Sequence, residues 1–575
     1  MKYAFVLLNL IVTCTNGMVQ YSASIQFLFI ANINGNEIVS PHKGGKKKRC
    51  FVITKEKSGF SKCENKWRER KNILKGEKGH PPCVEPRLRF APSPTGFLHV
   101  GGCRTFLYNY ILAKQLKGSL ILRLEDTDVE RNAQDSFHEI VKDLRWLNLN
   151  WDEGPDVGGP YGPYKQSEKI ELYKAIAHEF VKEGKAYFCF CTKDELSAKK
   201  EKTMLARTKY TYDRTCRDLT DEIVKQHLSH KKPYTIRFRS PMGRNITLDD
   251  MLKNEIVDSV NEDFIILRSD SSPTYNFSVS VDDHLMRISH VIRGVEHISN
   301  TFKQILVLEA LGARIPLYAH VPVITTVQKK KISKRNNEYL VRNLREEGFK
   351  PECVINYMGT LGWGSISKRE FYTLDELIST FDLRALNKSA LVFDIKKLKW
   401  MNKKYLLTQE AATYVREAEQ FLIEKKVLTQ ACTEFLRLCI SVFKDDVHNY
   451  EELGRYIMEA ISYDHLAHPC DKNNEKLKKV STYLCNWWEG NKSSVQCFED
   501  FFSENFDSLI GLVAEGTNMR RNEILLKVRV LLTFQNKGVP FVHLLQLWAL
   551  ARKSKVPNYV PLEDRIRHLK EVFIG

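Results

Sequence analysis

Apolar residues follow two different spacings in the chain beyond residue 85. In the first part, short apolar runs such as residues 120–122 predict buried strands, and apolar residues three and four apart between positions 106 and 111 predict a helix that packs on a sheet. From about residue 406 onward the spacing is helical, as in residues 422–443 and 524–534, with little of the alternation typical of strands. The pattern therefore predicts an α/β part followed by an all-α part.

The first 80 residues have another pattern. Residues 1–3 are followed by an apolar run over residues 4–12 and by small polar residues over 13–17. This order is typical of a secretory signal peptide, and the run is too short to span a membrane. Residues 18–80 hold 14 Lys and Arg against 5 Asp and Glu, a net charge of +9, without a clear helical or strand period. We expect a signal peptide over 1–17 and a basic, disordered transit peptide over 18–80; a basic RNA-binding arm is the alternative.

Length, net charge and cysteine content each add to this picture. A chain of 575 residues suffices for three to five domains at about 150 residues per domain. The formal net charge of +18 suits a polyanionic partner, but half of it lies in residues 18–80 and says little about the folded part. The 14 cysteines are scattered over a large chain, which argues against a small disulfide scaffold.

A segment rich in proline and glycine opens the folded part. Residues 88–102 predict a short strand, a rigid turn set by Pro92, Pro94 and Gly96, and the start of a helix at His99 and two glycines. Free N–H groups at a helix N-terminus attract phosphate, and glycine lets a nucleotide approach the backbone closely. The segment therefore predicts a phosphate-binding turn in which His99 donates to a phosphate oxygen.

The same segment resembles the opening motif of the glutamyl-tRNA synthetases, with His99-Val100-Gly101-Gly102 in place of the HIGH tetrad of class I enzymes. A later stretch, Lys331-Ile332-Ser333-Lys334-Arg335, resembles their KMSKS motif in its glutamyl form. Lysines on such a mobile loop stabilise the charge that develops as pyrophosphate leaves. The resemblance implies a Rossmann-like parallel sheet that holds ATP at the carboxyl ends of its strands. It assigns catalysis to His99, Gly101, Gly102, Lys331, Ser333 and Lys334.

Three further blocks resemble this family in sequence and in order: residues 123–128, 272–284 and 291–297. They imply a glutamate site, because two carboxylates need cationic groups and the ammonium needs an anion. Ser280 and Val295 depart from the residues that are usual in the family. The resemblance assigns the carboxylates to Arg89, Arg293 and Tyr275, the ammonium to Glu125 and Ser93, and ATP to His99, Gly102, Glu296, His297 and Lys334.

One group of cysteines has the spacing of a metal site. Cys189 and Cys191 are separated by one residue, and Cys216 follows after 24 more. Zinc takes four Cys, His or carboxylate ligands in a tetrahedron. The resemblance to bacterial members that bind zinc implies Asp218 as the fourth ligand, where those members have another residue. Because many members of the family lack the metal, we expect no zinc here.

The resemblance covers residues 87–575 and implies a division of the chain into five parts. These are two halves of the catalytic domain at 85–170 and 279–345, an acceptor-stem-binding insertion at 171–278, a stem-contact region at 346–405 and a helical anticodon-binding domain at 406–575.

The implied function is that of a glutamate–tRNA ligase. L-glutamate and Mg-ATP form glutamyl-adenylate, in this family generally only when tRNA is present, and tRNA-Glu then receives the glutamyl group. A non-discriminating enzyme that also charges tRNA-Gln is the alternative. A relative that modifies a tRNA base would lack the helical tail, and a catalytically inactive RNA-binding protein would have lost residues such as His99 or Lys331.

The first 80 residues bear on where the enzyme works. A signal peptide followed by a transit peptide predicts an apicoplast-like plastid reached through the secretory route, with the mitochondrion as the alternative. We expect cleavage between about residues 70 and 85, which leaves roughly 500 residues. The processed protein is expected to be a monomer without stable membrane association.

Overall fold

The computed structural model describes residues 7–15, 18–26, 85–127, 136–205, 210–332, 339–364, 369–428, 432–463, 473–492 and 497–575. The chain divides into two compact units, residues 1–58 and 59–575. None of the helices in the described ranges is both long enough and apolar enough to cross a membrane.

The first unit contains two antiparallel strands, β1 (Leu7–Thr15) and β2 (Met18–Gln26). Strand β2 differs from the expectation of no regular structure over residues 18–80. Its apolar residues at 19, 21, 23 and 25 alternate with polar ones, which is the period of a strand. The net charge of residues 18–80 does not reveal this local alternation. The signal peptide, the transit peptide and the cleavage site stay predictions.

A six-stranded sheet lies at the centre of the second unit. Neighbouring strands are parallel except for the last pair, which is antiparallel. Leu88 and Val291 in its middle are fully buried, as expected for a parallel sheet that is covered on both faces. In order across the sheet, the strands are β4 (Ser119–Leu122), β3 (Arg87–Phe90), β10 (His290–Gly294), β11 (Leu317–Val321), β7 (Asn245–Asp250) and β8 (Asn254–Ser259). The helices next to these strands in the chain are α1 (Val100–Gln115), α2 (Ser136–Trp146), α6 (Tyr275–Leu285) and α7 (Ile298–Leu311).

The predicted insertion is built around a second, smaller sheet. Its three antiparallel strands are β5 (Ala186–Cys189), β6 (Thr235–Phe238) and β9 (Ile265–Leu267), and its helices are α3 (Ile170–Lys182), α4 (Lys193–Leu205) and α5 (Asp221–Ser229). The β7–β8 hairpin lies within the predicted range 171–278 but extends the main sheet instead, because β7 pairs with β11. Ile246 and Leu248 alternate inward along β7, so this hairpin packs on the catalytic core.

The region after the KMSKS-like segment shares the core of the catalytic domain. Tyr108 on α1 stacks on Phe381 with ring centroids 5.0 Å apart, and buried residues from Leu88 to Met401 form one hydrophobic cluster. A pair of short parallel strands, β12 (Ile324–Thr325) and β13 (Leu391–Val392), adds a second connection. The helices of this region are α8 (Val341–Glu346), α9 (Pro351–Thr360), α10 (Leu374–Thr380) and α11 (Ile395–Thr408).

In the described residues after 408, α-helix is the only regular secondary structure. Their core is a separate cluster that runs from Leu406 to Phe573. Arg565 is fully buried there and donates to the carbonyl oxygens of Ile461, Leu532 and Val560, which holds three segments together. The predicted fold class, a Rossmann-like parallel sheet with an insertion followed by an all-α part, is confirmed. The helices are α12 (Ala411–Glu424), α13 (Thr433–Phe443), α14 (Tyr450–Ile461), α15 (Glu475–Asn491), α16 (Phe498–Thr517), α17 (Arg521–Thr533), α18 (Phe541–Lys553) and α19 (Leu562–Phe573).

Candidate active site

A cavity of about 300 Å³ lies at the carboxyl ends of β3, β4, β10 and β11. This is the edge at which parallel α/β sheets bind ligands. Ser333 and Lys334 are outside the described residues, so their placement stays a prediction. The other predicted glutamate-binding, ATP-binding and catalytic residues all line the cavity: Arg89, Ser93, His99, Gly101, Gly102, Glu125, Tyr275, Arg293, Glu296, His297 and Lys331.

His99 caps the N-terminus of α1. Its Nδ1 accepts hydrogen bonds from the backbone N–H groups of Gly101, at 3.0 Å, and Gly102, at 3.2 Å. The sequence predicted that these N–H groups bind a phosphate, but they donate to the imidazole instead. A Cβ at position 101 would lie 2.8 Å from the His99 ring, so the glycine accommodates this ring. Because Nδ1 accepts, the neutral ring carries its proton on Nε2 and donates from there.

Lys331 forms an ion pair in the cavity wall. Its Nζ lies 3.3 Å from Oε1 of Glu296, and both side chains are about half exposed, at 54% and 44%. Exposed pairs of this kind contribute little to stability. Lys331 can therefore exchange Glu296 for a phosphate oxygen at low cost, as the predicted role requires.

A buried charged cluster forms the wall near Arg89. Arg89 Nε donates to Asp283 Oδ1 at 3.3 Å, and Glu125 accepts from Arg123 Nη2 at 3.3 Å. Burial raises the pKa of Glu125, although Arg123 and Arg89 partly offset that rise. Burial alone would also raise the pKa of Asp283, but the two arginines outweigh it and lower that pKa.

Arg293 is buried and is held by neutral partners. Its Nε donates to His320 Nε2 at 3.2 Å and its Nη2 donates to Thr301 Oγ1 at 2.7 Å. Nη1 is buried without a hydrogen-bond partner among the described residues. Beside it, the Tyr275 hydroxyl lies 3.2 Å from His297 Nδ1. Burial and, to a smaller extent, the charge of Arg293 lower the pKa of His297 to about 4, so that ring is neutral near pH 7.

Comparisons with known proteins agree with this geometry. Residues 85–400 match the family described as class I tRNA synthetases (E and Q), catalytic domain. A glutamate–tRNA ligase of Bacillus cereus is 35% identical over 484 residues, which are 82% of this chain and 98% of that protein. A glutamate–tRNA ligase of Carboxydothermus hydrogenoformans is 41% identical over 351 residues, 60% of this chain and 73% of that protein. The crystal structure of a glutamate–tRNA synthetase from Elizabethkingia anophelis has a TM-score of 0.67 at 29% identity, over 86% of this chain and 100% of that chain.

The chain belongs to the class I glutamyl-tRNA synthetases. It is therefore an aminoacyl-tRNA ligase, and its family implies glutamate, ATP with Mg²⁺ and tRNA as substrates. The match to the B. cereus ligase covers nearly all of that protein, so the likeness extends beyond the catalytic domain.

Behind the cavity wall of the synthetase, next to Arg89 and Glu125, lie charged residues to which the sequence assigned no role. Arg123 is fully buried and donates from Nη1 to Asp283 Oδ1 at 2.6 Å. Asp282, also fully buried, accepts from Gln166 Nε2 at 2.9 Å and forms an ion pair with Lys169. The signal available in the sequence was a pair of acids directly after Val281, a position that a helix places inside the core.

The three cysteine sulfurs of the synthetase's insertion lie within 4.8 Å of one another. Asp218, the predicted fourth ligand, is not part of this group, because its exposed carboxylate pairs with Arg239 at 3.0 Å. Hydrogen bonds from Cys216 and from the neighbouring Tyr212 and Arg237 outweigh burial and lower the pKa of Cys189 to about 4. Among the described residues the cluster offers three thiols and not the four ligands of a structural zinc site.

Proposed function

We propose that this synthetase activates L-glutamate with Mg-ATP inside the 300 Å³ cavity and transfers it to tRNA-Glu. The observation that carries the proposal is the arrangement of charge in one cavity. Arg89, Arg293 and Glu125 supply two buried cations and an anion, and His99 and Lys331 supply donors for phosphate. Glutamate and ATP need these groups.

Two steps take place in this single site. An oxygen of the glutamate α-carboxylate attacks the α-phosphorus of ATP in line, and the bond to pyrophosphate breaks. A hydroxyl of the terminal ribose of tRNA then attacks the carbonyl carbon, and AMP leaves. No side chain needs to form a covalent intermediate, so catalysis rests on positioning and on charge stabilisation.

The amino acid is held by the buried charged residues. Arg89 and Arg293 bind its carboxylates with the help of Tyr275, since arginine supplies the planar donor fork that suits a carboxylate. The unpartnered Nη1 of Arg293 supports this role, because a buried donor without a partner is costly until a ligand satisfies it. Glu125 and Ser93 bind the ammonium.

The nucleotide is held by the remaining predicted residues. His99 donates from Nε2 to phosphate, and the lysines of the KMSKS-like segment close on the triphosphate. His297, which is neutral at pH 7, faces ATP without adding a charge. ATP binding is assigned to His99, Gly102, Glu296, His297 and Lys334, with Gly101, Lys331 and Ser333 completing the two motifs. We propose no structural zinc, and a stoichiometric zinc content in the purified protein would contradict this.

Charging of purified transcripts tests the amino acid and the tRNA together. We expect the protein to attach glutamate to tRNA-Glu and to leave glutamine unused, because an amide presents donors to arginines that have no acceptor. Affinity for tRNA should fall steeply with salt. Charging of tRNA-Gln with glutamate, measured side by side, would identify a non-discriminating enzyme. Attachment of glutamine, or no glutamylation of either transcript, would contradict the proposal.

The leader supports a further proposal, import into an apicoplast-like plastid through the secretory route. Its support is the order of an apolar segment and a basic segment in residues 1–80. A fluorescent protein that carries these residues should reach the plastid. Accumulation in the mitochondrion would favour the alternative address.

A further inference from the structure

Arg293 is held differently from Arg87, Arg89 and Arg123, three other buried arginines near the site. Arg87 pairs with Glu153, and Arg89 and Arg123 pair with Asp283. Arg293 has no carboxylate partner among the described residues, and its Nε and Nη2 donate to neutral acceptors. A carboxylate partner would compete with a ligand carboxylate for the guanidinium, whereas a neutral acceptor orients it and leaves its charge available.

His320 can accept from Arg293 in one protonation state only. Its Nε2 is an acceptor when the ring is neutral and the proton sits on Nδ1. Nδ1 lies 2.6 Å from Asp250 Oδ2. Because an ionised carboxylate can only accept, Nδ1 carries the proton. Burial lowers the pKa of His320, which keeps the ring neutral.

Asp250 is itself fixed from several sides. The backbone N–H of His320 donates to Oδ2 at 3.0 Å, and the backbone N–H groups of Leu252 and Lys253 donate to Oδ1 at 3.0 Å and 2.8 Å. Burial alone would raise the pKa of Asp250, but the hydrogen bond from the His320 ring and those from the N–H groups of Lys253 and Leu252 lower it, so the carboxylate is charged.

The β7–β8 hairpin explains how Asp250 reaches this place. Asp250 ends β7 and lies opposite Tyr318 in the parallel pairing with β11, two residues from His320. The hairpin extends the catalytic sheet and delivers a carboxylate next to the strand that flanks Arg293. A segment of the chain otherwise assigned to tRNA binding thereby acts on the amino-acid site.

We propose that Asp250 and His320 are positioning residues for glutamate. Asp250 fixes the tautomer in which His320 accepts from Arg293 Nε, and Arg293 then keeps Nη1 for a carboxylate of the substrate. This inference rests on the proposed glutamate-binding role of Arg293.

Two substitutions of His320 separate the two halves of this chain of hydrogen bonds. In His320→Asn the amide keeps the bond to Asp250 but is too short to reach Arg293. In His320→Gln the amide oxygen lies near the former Nε2 and accepts from Arg293. We expect His320→Asn and Asp250→Asn to raise the KM for glutamate by about tenfold to a hundredfold, and His320→Gln to raise it less. The KM for ATP should change by less than about twofold in all three, because Arg293 does not bind ATP.

The measurement is ATP–pyrophosphate exchange with tRNA present, combined with thermal unfolding. Asp263→Asn is the matched control, because Asp263 is equally buried and accepts hydrogen bonds from Arg217 and Ser240 in the part of the insertion that surrounds the smaller sheet. This control should lower the unfolding temperature without changing the KM for glutamate. An unchanged glutamate KM in Asp250→Asn and His320→Asn, or an equal rise in the KM for ATP, would overturn the inference. Absence of glutamate-dependent exchange in the wild-type protein would instead contradict the proposed function.

Discussion

Replacement of Arg293 by methionine is expected to lower kcat/KM for glutamate by roughly 30- to 4,000-fold. Loss of one partner of a buried, hydrogen-bonded charge pair costs about 2–5 kcal/mol, and about 1.4 kcal/mol corresponds to a factor of ten. Arg293→Lys should give a smaller loss, because lysine keeps the charge but not the planar fork. Pyrophosphate exchange in the presence of tRNA measures both variants.

An exposed arginine provides the control for Arg293. Arg244 pairs with Glu309 at the surface, with 48% of its side chain exposed, so Arg244→Met should leave the kinetics nearly unchanged. Arg293→Met should lower kcat/KM for glutamate with little change in the KM for ATP. If Arg293→Met kept the wild-type KM for glutamate, Arg293 would not bind the substrate.

Substitution of His99 is expected to have the second large effect, and it separates two roles of one side chain. His99→Ala removes the cap of α1, at a cost of about 1 kcal/mol of stability, and also the Nε2 donor, which is expected to slow activation by roughly a hundredfold to a thousandfold. Asparagine is a strong N-cap residue, so its oxygen can accept from the N–H groups of Gly101 and Gly102. His99→Asn should therefore restore the stability but not the rate.

Thermal unfolding and single-turnover adenylate formation distinguish these two roles. The expected result is a normal unfolding temperature and slow activation in His99→Asn. Wild-type activation in that variant would show that His99 acts only as a cap.

The site residues predicted from the sequence lie in short contiguous blocks. Arg89, Ser93 and His99 belong to one strand–turn–helix segment, so their order along the chain places them at one sheet edge. The grouping of site residues that are close along the chain can therefore be predicted from the sequence. The contact between Tyr275 and His297, 22 residues apart, also follows from two neighbouring blocks.

Contacts between distant residues could not be predicted in this way. The Arg123–Asp283 and Asp250–His320 pairs join positions 160 and 70 residues apart, and a single sequence does not say which strands become neighbours. The β7–β8 hairpin was assigned to the insertion for the same reason. The resemblance implied Asp218 as a metal ligand, but the orientation of its carboxylate depends on Arg239, and a single sequence does not reveal that contact.

Glutamate and ATP must occupy adjoining parts of one cavity for glutamyl-adenylate to form there. A non-hydrolysable glutamyl-adenylate analogue, with a sulfamoyl group in place of the phosphate, tests this most directly. The analogue should inhibit exchange competitively against both ATP and glutamate, and both Arg293→Met and His99→Ala should weaken its binding. Competition against only one of the two substrates, or undiminished binding to both variants, would show that the two substrates do not share this cavity.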